Sequence, residues 1–351
     1  MKKILTVVLA LALTMALCAP AFAAGGKIGV AMPTQDLQRW NQDGDNMKKQ
    51  LEAAGYEVDL QFANNEVALQ VSQIENMILG GCKALVIASI DGSALGTVLA
   101  QAKEEGIPVI AYDRLIMKSD AVSYYATFDN YKVGTIQGKF IEEKLGLADG
   151  KGPFNIELFA GSPDDNNALF FFQGAWDVLK PYIDNGQLVV PSGQTDFNTI
   201  AILGWGSEDA QNRMDNLLTA YYSDGKTLDA VLSPNDSLAI GIANSLTNMG
   251  FSPYPILTGQ DCDKPNMKNI LAGKQSMSIF KDTRTLAAKV VGMVDALMQG
   301  TEPEINDTKT YDNGDGKIIP SYLCDPVYAD KDNYKELLID SGYYTEADIT
   351  G

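Results

Sequence analysis

Apolar runs that stop at a charged or amide side chain recur along this sequence, and they carry its chemistry. Val109-Ile110-Ala111-Tyr112 ends in Asp113-Arg114, and the run from Ala230 to Ser233 ends in Pro234-Asn235-Asp236. Ile256 to Thr258 ends in Gly259-Gln260-Asp261, and Met277 to Phe280 ends in Lys281-Asp282. Arg39-Trp40 follows the first apolar run, and Asn166-Asn167 follows the run from Phe154 to Phe159. Trp205 lies between glycines in Leu203-Gly204-Trp205-Gly206, just ahead of a helical pattern. Carboxylates and primary amides take paired hydroxyls in bidentate fashion, while Arg and Lys donate to hydroxyl or ring oxygens. An indole covers an apolar C–H face with a rigid surface. Together these groups suit a pyranose. Each has a plainer reading as well. Asp164, Asp165 and Asp236 are equally good as helix N-caps, and Asp91-Gly92 is a turn signal. Asp113-Arg114 read alone is a surface ion pair of small worth. Trp205 reads as core or, with glycines on both sides, as an exposed loop. Joint occurrence at many strand ends favours a site.

The elements that place these residues alternate in type. Ile28 to Met32, Val58 to Phe62, Ala84 to Ala88 and Val109 to Ala111 read as strands. Helical patterns over about 40–54, 68–79 and 94–105 separate them, and Gly55 and Gly106 are natural stops. Tyr124 to Phe128 reads as a short edge strand. The pattern then restarts, with helices over about 132–145, 167–182, 208–222 and 238–249 between strands Phe154–Phe159, Leu188–Val190, Ala230–Ser233, Ile256–Thr258 and Met277–Phe280. Continuous apolar strands separated by helices predict parallel sheets covered on both faces. The expected fold is α/β, two Rossmann-like lobes each built as a parallel-sheet sandwich. In such sheets ligands bind past the carboxyl ends of the strands. A helix over about 286–298 precedes a tail that reads as irregular and turn-rich.

Composition excludes several function classes. The chain has 351 residues, a formal charge of −18 and no histidine. Strong acidity argues against a sequence-independent hold on nucleic acid and against an anionic membrane surface. Without histidine, the commonest general base and metal ligand are missing. No G-x-G-x-x-G follows Gly29, and Lys151 and Lys274 lack phosphate-loop surroundings. Asp312-Asn313-Gly314-Asp315-Gly316 lacks the ligands of a calcium loop and reads as a hairpin turn. No metal or cofactor is expected. Cys82 reads as a small buried thiol, and a Cys262–Cys324 disulfide is open but not deducible from spacing.

Residues 1–23 read as a secretory signal peptide: Met1-Lys2-Lys3, an apolar run from Ile4 to Leu17, then Ala21-Phe22-Ala23. About 14 apolar residues fall short of the roughly 20 a spanning helix needs. Cys18 keeps a lipoprotein anchor as the minor alternative, because Leu17 stands where such signals place a small residue. The expected location is therefore periplasmic or otherwise extracytoplasmic.

Several segments carry a family resemblance. They include Arg39-Trp40, Ser72-Gln73-Ile74-Glu75-Asn76-Met77, Ala111-Tyr112-Asp113-Arg114, Gly161-Ser162-Pro163-Asp164-Asp165-Asn166-Asn167, Ser233-Pro234-Asn235-Asp236 and Gly259-Gln260-Asp261. In order and over nearly the whole chain, these resemble the exported sugar-binding proteins of ABC transporters, of the D-xylose-binding and multiple-monosaccharide-binding type. The resemblance implies two lobes joined by three crossings, near Asp129-Asn130, Lys281-Asp282 and Tyr322–Pro326. It places residues 24–130 with 282–323 in one lobe and 131–281 with 324–351 in the other. It implies sugar contacts at Arg39, Trp40, Asp113, Arg114, Asn167, Trp205, Asn235, Asp261 and Lys281, with Asn166 facing away. Cys262 and the Gly314-Asp315-Gly316 insertion depart from the family pattern.

The implied activity is capture of a monosaccharide, an aldopyranose such as xylose, glucose, galactose or arabinose, by hinge closure. A membrane ABC permease is the implied partner, with a chemoreceptor or sensor kinase as the alternative listener and the protein itself monomeric. The rival of another class is a glycosidase, which also needs paired carboxylates. Cations close to Asp113 and Asp261 lower carboxyl pKa values and disfavour a general acid.

Overall fold

The computed structural model describes residues 25–350, so the leader assigned to residues 1–23 lies outside the described residues. Two parallel sheets dominate. The first contains β1 (Lys27–Met32), β2 (Glu57–Phe62), β3 (Ala84–Ile87), β4 (Val109–Tyr112), β5 (Val122–Phe128) and, from the tail, β11 (Ser321–Cys324), in the order β11-β5-β4-β3-β1-β2. The second contains β6 (Phe154–Leu158), β7 (Leu188–Val189), β8 (Ala230–Leu232) and β9 (Ile256–Leu257), in the order β7-β6-β8-β9. β10 (Ser278–Phe280) and β12 (Val327–Ala329) form a small antiparallel pair.

Helices cover both faces of each sheet, as continuous apolar strands require. Period-two alternation sends neighbouring residues to opposite cores. Val30 and Ile110 pack with Leu286 and Val290 of α9 (Thr283–Met298). Ala31 and Ala111 pack instead with Ile74 of α2 (Val67–Leu79) and Leu99 of α3 (Gly96–Glu104). In the second sheet, Val231 meets Met214 of α6 (Ser207–Tyr221) and Ile242 of α7 (Asp236–Asn248). Leu232 meets Leu179 of α5 (Asn166–Asp184) on the other face. The remaining long helices are α1 (Gln38–Ala53) and α4 (Asn130–Leu145), and α8 (Lys264–Leu271) is shorter.

The chain passes between the sheets three times. β5 leads into α4, β10 leads into α9, and β11 leads into β12. At two of these passages an aspartate caps the helix that follows. Asp129 accepts from Lys132 N and Asp282 from Arg284 N, so the helix start is fixed where the chain leaves the strand.

The structure corrects the sequence reading in places. β5 is not an edge strand: β11 pairs with it in parallel, Ser321 opposite Tyr125 and Cys324 opposite Phe128. The tail is likewise not irregular. Besides β11 and β12 it carries a helical turn at Lys335–Asp340 and a short helix at Glu346–Thr350, with Leu338, Tyr344 and Ile349 buried against Met267 and Phe280. Neither α8 nor the one-turn helix Phe197–Ile200 was expected from the pattern. Cys82, Cys262 and Cys324 are all free and buried, so no Cys262–Cys324 disulfide forms. Those last two thiols pack in different clusters, beside Met267 and beside Phe128 respectively. Asp312 accepts from Gly314 N and Gly316 N, which makes 312–316 a turn.

Candidate functional site

All nine residues expected at a site border one cavity between the two sheets. Arg39 and Trp40 lie in the first turn of α1, and Asp113 and Arg114 follow β4. Asn167 opens α5, and Trp205 ends a short turn at Leu203–Trp205. Asn235 caps α7, Asp261 follows β9, and Lys281 follows β10. Asn166 borders a separate surface groove with Leu169 and Phe172.

Arg39 organises the charges. Its Nε donates to Asp43 Oδ2 at 2.9 Å, Nη1 to Asp261 Oδ1 at 2.9 Å, and Nη2 to Asp113 Oδ1 at 2.6 Å. Lys281 Nζ lies 3.3 Å from Asp261 Oδ1 and 3.8 Å from Asp113 Oδ1. Both site carboxylates are therefore held by their Oδ1 atoms. Among the described residues no hydrogen bond engages Oδ2 of either one. Burial alone would lift the Asp113 carboxyl, but Arg39, then Lys281 and Arg114, overcome it and hold the pKa below the usual range. Arg39 itself is pushed well up: burial disfavours its charge, and Asp113, Asp43 and Asp261 more than compensate.

Arg114 does not form the surface ion pair with Asp113 that the two residues alone suggest. It adds to the field on Asp113 only after Arg39 and Lys281, and its own ion-pair partner is Asp165, 3.0 Å from Nε. Its Nη1 donates to the carbonyls of Ser89 and Ile90. Trp40 lies under both guanidinium groups, 5.3 Å from Arg39 Cζ and 5.1 Å from Arg114 Cζ, an arrangement that favours cation–π attraction.

Trp205 is not in an exposed loop. It is 5% exposed and borders the cavity. A Cβ on Gly161 would stand 2.0 Å from its Cη2, so only glycine lets the indole lie against that turn. Of the proposed caps, Asp165 is the N-cap of α5, accepting from Asn167 N. Asn235, not Asp236, caps α7. Asp236 is fully buried and accepts from Gln275, Ser278 and the Asp263 backbone.

Asp113, Trp205, Asp261 and Cys262 all have positive φ, at 58°, 59°, 99° and 51°. Non-glycine residues adopt such angles at a cost of about 1–3 kcal/mol each, met when the surroundings over-determine them. At Asp113 the surroundings are visible: its carbonyl accepts from Tyr125 Oη, Thr127 Oγ1 and Asn167 Nδ2 at 2.6, 2.9 and 2.7 Å.

Further contributors were not read as site residues from the sequence. Asp43 sits fully buried behind Arg39, where Tyr112 Oη also donates to it. Its i,i+4 spacing from Arg39 was the available signal. Phe171, Gln260 and Asp263 also border the cavity. Asp263 keeps some exposed surface, yet its Oδ1 is closed off without a partner. Burial and repulsion from Asp261 push that carboxyl up to about 7. Trp205 Nε1 and Gln260 Oε1 are also buried without partners. One donor and two acceptors around a cavity suit hydroxyl groups, which are both.

A model of the periplasmic binding protein domain matches residues 28–302. The chain belongs to the periplasmic binding protein family. It is 56% identical to the multiple sugar-binding periplasmic receptor ChvE of Rhizobium radiobacter, over 98% of each chain. The D-xylose-binding periplasmic protein of Escherichia coli is 38% identical over 92% of each. Among solved structures, an ABC transporter solute-binding protein from Clostridium phytofermentans with bound β-D-glucose superposes with a TM-score of 0.90. It shares 68% identity and covers 92% of this chain and 99% of its own. A carbohydrate transporter solute-binding protein from Chloroflexus aurantiacus, in complex with D-glucose, gives a TM-score of 0.84 at 35% identity, over 92% and 97%.

Proposed function

We propose that this periplasmic binding protein captures a monosaccharide by hinge closure and delivers it to the permease of an ABC importer. The ligand is an aldopyranose such as xylose, glucose, galactose or arabinose. One observation carries the reading: Asp113 and Asp261, set on different sheets, share Arg39 and Lys281 through Oδ1. Their second oxygens are left for hydroxyls beside the indoles of Trp40 and Trp205. The glucose-bound and xylose-binding relatives support the sugar class.

Arg39, Trp40, Asp113, Arg114, Asn167, Trp205, Asn235, Asp261 and Lys281 make the sugar contacts in this reading. Residues 24–130 with 282–323 move as one lobe, and 131–281 with 324–351 as the other. Only contacts present in the closed form can shift the lobes toward it. Affinity near micromolar, about −8 kcal/mol, suits capture with release. The protein works as a monomer outside the inner membrane, exported by the leader at residues 1–23. It is not an enzyme: the cation-held Asp113 is poorly suited to protonating a glycosidic oxygen.

Calorimetry and a thermal-shift panel of pentoses, hexoses and uronic acids test the proposal, since a bound ligand raises apparent stability by mass action. Saturable 1:1 binding of a neutral aldose is expected. Folded protein that binds no aldose would sink the reading.

A further inference from the structure

We propose that Asp165 is a positioning residue for closure. Its ion pair with Arg114, at the border of the cavity, forms a latch across the cleft and sets how long bound sugar is held. The proposal rests on the sugar-capture reading and goes beyond it, because Asp165 was read from the sequence only as a helix cap.

The two partners are anchored on opposite sides. Arg114 follows β4 of the first sheet, and its Nη1 is fixed by the carbonyls of Ser89 and Ile90 at 3.1 and 3.3 Å. Asp165 precedes α5, next to the second sheet, and its two oxygens divide their work. Oδ1 accepts from Asn167 N at 3.0 Å and starts the helix, while Oδ2 lies 3.0 Å from Arg114 Nε. The Nε–H does not point along that line, so the contact is an ion pair rather than a hydrogen bond. Both residues are buried, at 5% and 7% exposure.

Further contacts from the same turn cross the cleft, among them that of Tyr125 Oη of β5, which donates to Asn167 Oδ1 at 3.0 Å. Gly92 N reaches the Asp164 carbonyl at 3.4 Å, and Asn167 Nδ2 donates to the Asp113 carbonyl at 2.7 Å. The turn at 164–167 thus grips the loops after β3 and β4 in three places. Opposing this grip in the empty cleft are the unpartnered Trp205 Nε1, Gln260 Oε1 and Asp263 Oδ1, which favour a form open to water. Sugar hydroxyls relieve that opposition, after which the latch adds to the hold.

Truncating one member of a buried charge pair acts chiefly on dissociation. Asp165→Asn keeps a good N-cap and removes the charge, and Asp165→Ser does the same with a smaller side chain. Stopped-flow tryptophan fluorescence with D-glucose and D-xylose should show both variants releasing sugar at least ten-fold faster, with association within two-fold of the unaltered protein. The sugar-free melting temperature should stay the same, because the latch is absent from the open form. Asp184→Asn, which removes an exposed carboxylate paired with Lys180 at the far end of α5, serves as the control and should leave release unchanged.

Release within two-fold of the unaltered protein would overturn the proposal. So would slower association at unchanged release, which would make Asp165 a charge that acts on the encounter rather than on the closed form. An equal fall in melting temperature with and without sugar would reduce it to a cap. If the unaltered protein binds no sugar, the functional reading fails by itself. The latch is then still read without sugar, by single-molecule FRET across the cleft, where Asp165→Asn must lower the closed fraction or the latch is refuted.

Discussion

Asp113 and Asp261 belong to different sheets, yet each offers its Oδ1 to the one guanidinium of Arg39, at 2.6 and 2.9 Å. The arrangement spends one oxygen of each carboxylate on protein and reserves the other. It also sets the sign of the site's response to acid. Asp113 has a folded pKa below its unfolded value of about 3.9. Its contribution to stability is therefore fully present above pH ~4 and lost as pH falls through the lower folded value.

Asp113→Asn tests the reserved oxygen directly. Asparagine tolerates the positive φ of 58° at this position, so the backbone survives while the charge is removed. A hydrogen bond to a charged group is worth about 1.5–3 kcal/mol, and two hydroxyls would lose their acceptor. Sugar affinity should fall at least 100-fold by calorimetry, with an unchanged circular dichroism spectrum. A variant within a few-fold of the original would place the site elsewhere.

The parallel sheets were legible in the sequence because their signal is local, and the nine expected residues at the cavity came from strand ends read together with the family resemblance. A short apolar run that stops at Asp113 or Lys281 states the strand and its end together. What escaped depends on distant partners. Ser321–Cys324 is four residues long and flanked by Pro320 and Asp325, and it becomes a strand only by pairing with β5. Trp205 is buried because Gly161, on another turn, has no Cβ. Asp165 read as a cap is correct for Oδ1 and silent about Oδ2, whose partner Arg114 comes from the other sheet.

Asp43 is the hidden support of Arg39. It is fully buried, and it takes hydrogen bonds from Arg39 Nε and Tyr112 Oη. Burial raises its carboxyl pKa and Arg39 only partly offsets this. Without Asp43, Arg39 keeps Asp113 and Asp261 but its Nε loses its acceptor, as does Tyr112 Oη, and a buried donor left unpaired costs about 1–3 kcal/mol. Asp43→Ala should therefore lower the denaturant midpoint clearly, and it should also weaken sugar binding, because Arg39 loses the contact that fixes its orientation. An unchanged midpoint in a urea titration would refute the support role.

Gly161→Ala probes the packing of the indole. The added Cβ would stand 2.0 Å from Trp205 Cη2, so the ring must move into the cavity or the turn must shift. Overpacking of this kind costs about 1–3 kcal/mol. Sugar affinity should drop by ten-fold or more, and the tryptophan emission should redshift as the ring gains water. Wild-type affinity and emission together would show that the turn yields without cost.

Asp263 should respond to acid in the opposite sense to Asp113. Burial, with the charge of Asp261 adding to it, pushes its carboxyl up to about 7, and Arg39 compensates only in part. A group with a raised folded pKa contributes stability that is fully present below its unfolded value of about 3.9 and lost as pH rises through the folded one. Between pH ~4 and ~7, then, this residue becomes progressively unfavourable to the folded state. Asp263→Asn cannot ionise, and an amide fills nearly the same volume. In the sugar-free protein the variant should melt about 2–4 °C above the original at pH 8 for each kcal/mol recovered, with the difference vanishing by pH 4. Differential scanning fluorimetry across that range separates this from a pH-independent packing gain. A constant offset at every pH would mean that Asp263 is not the titrating group.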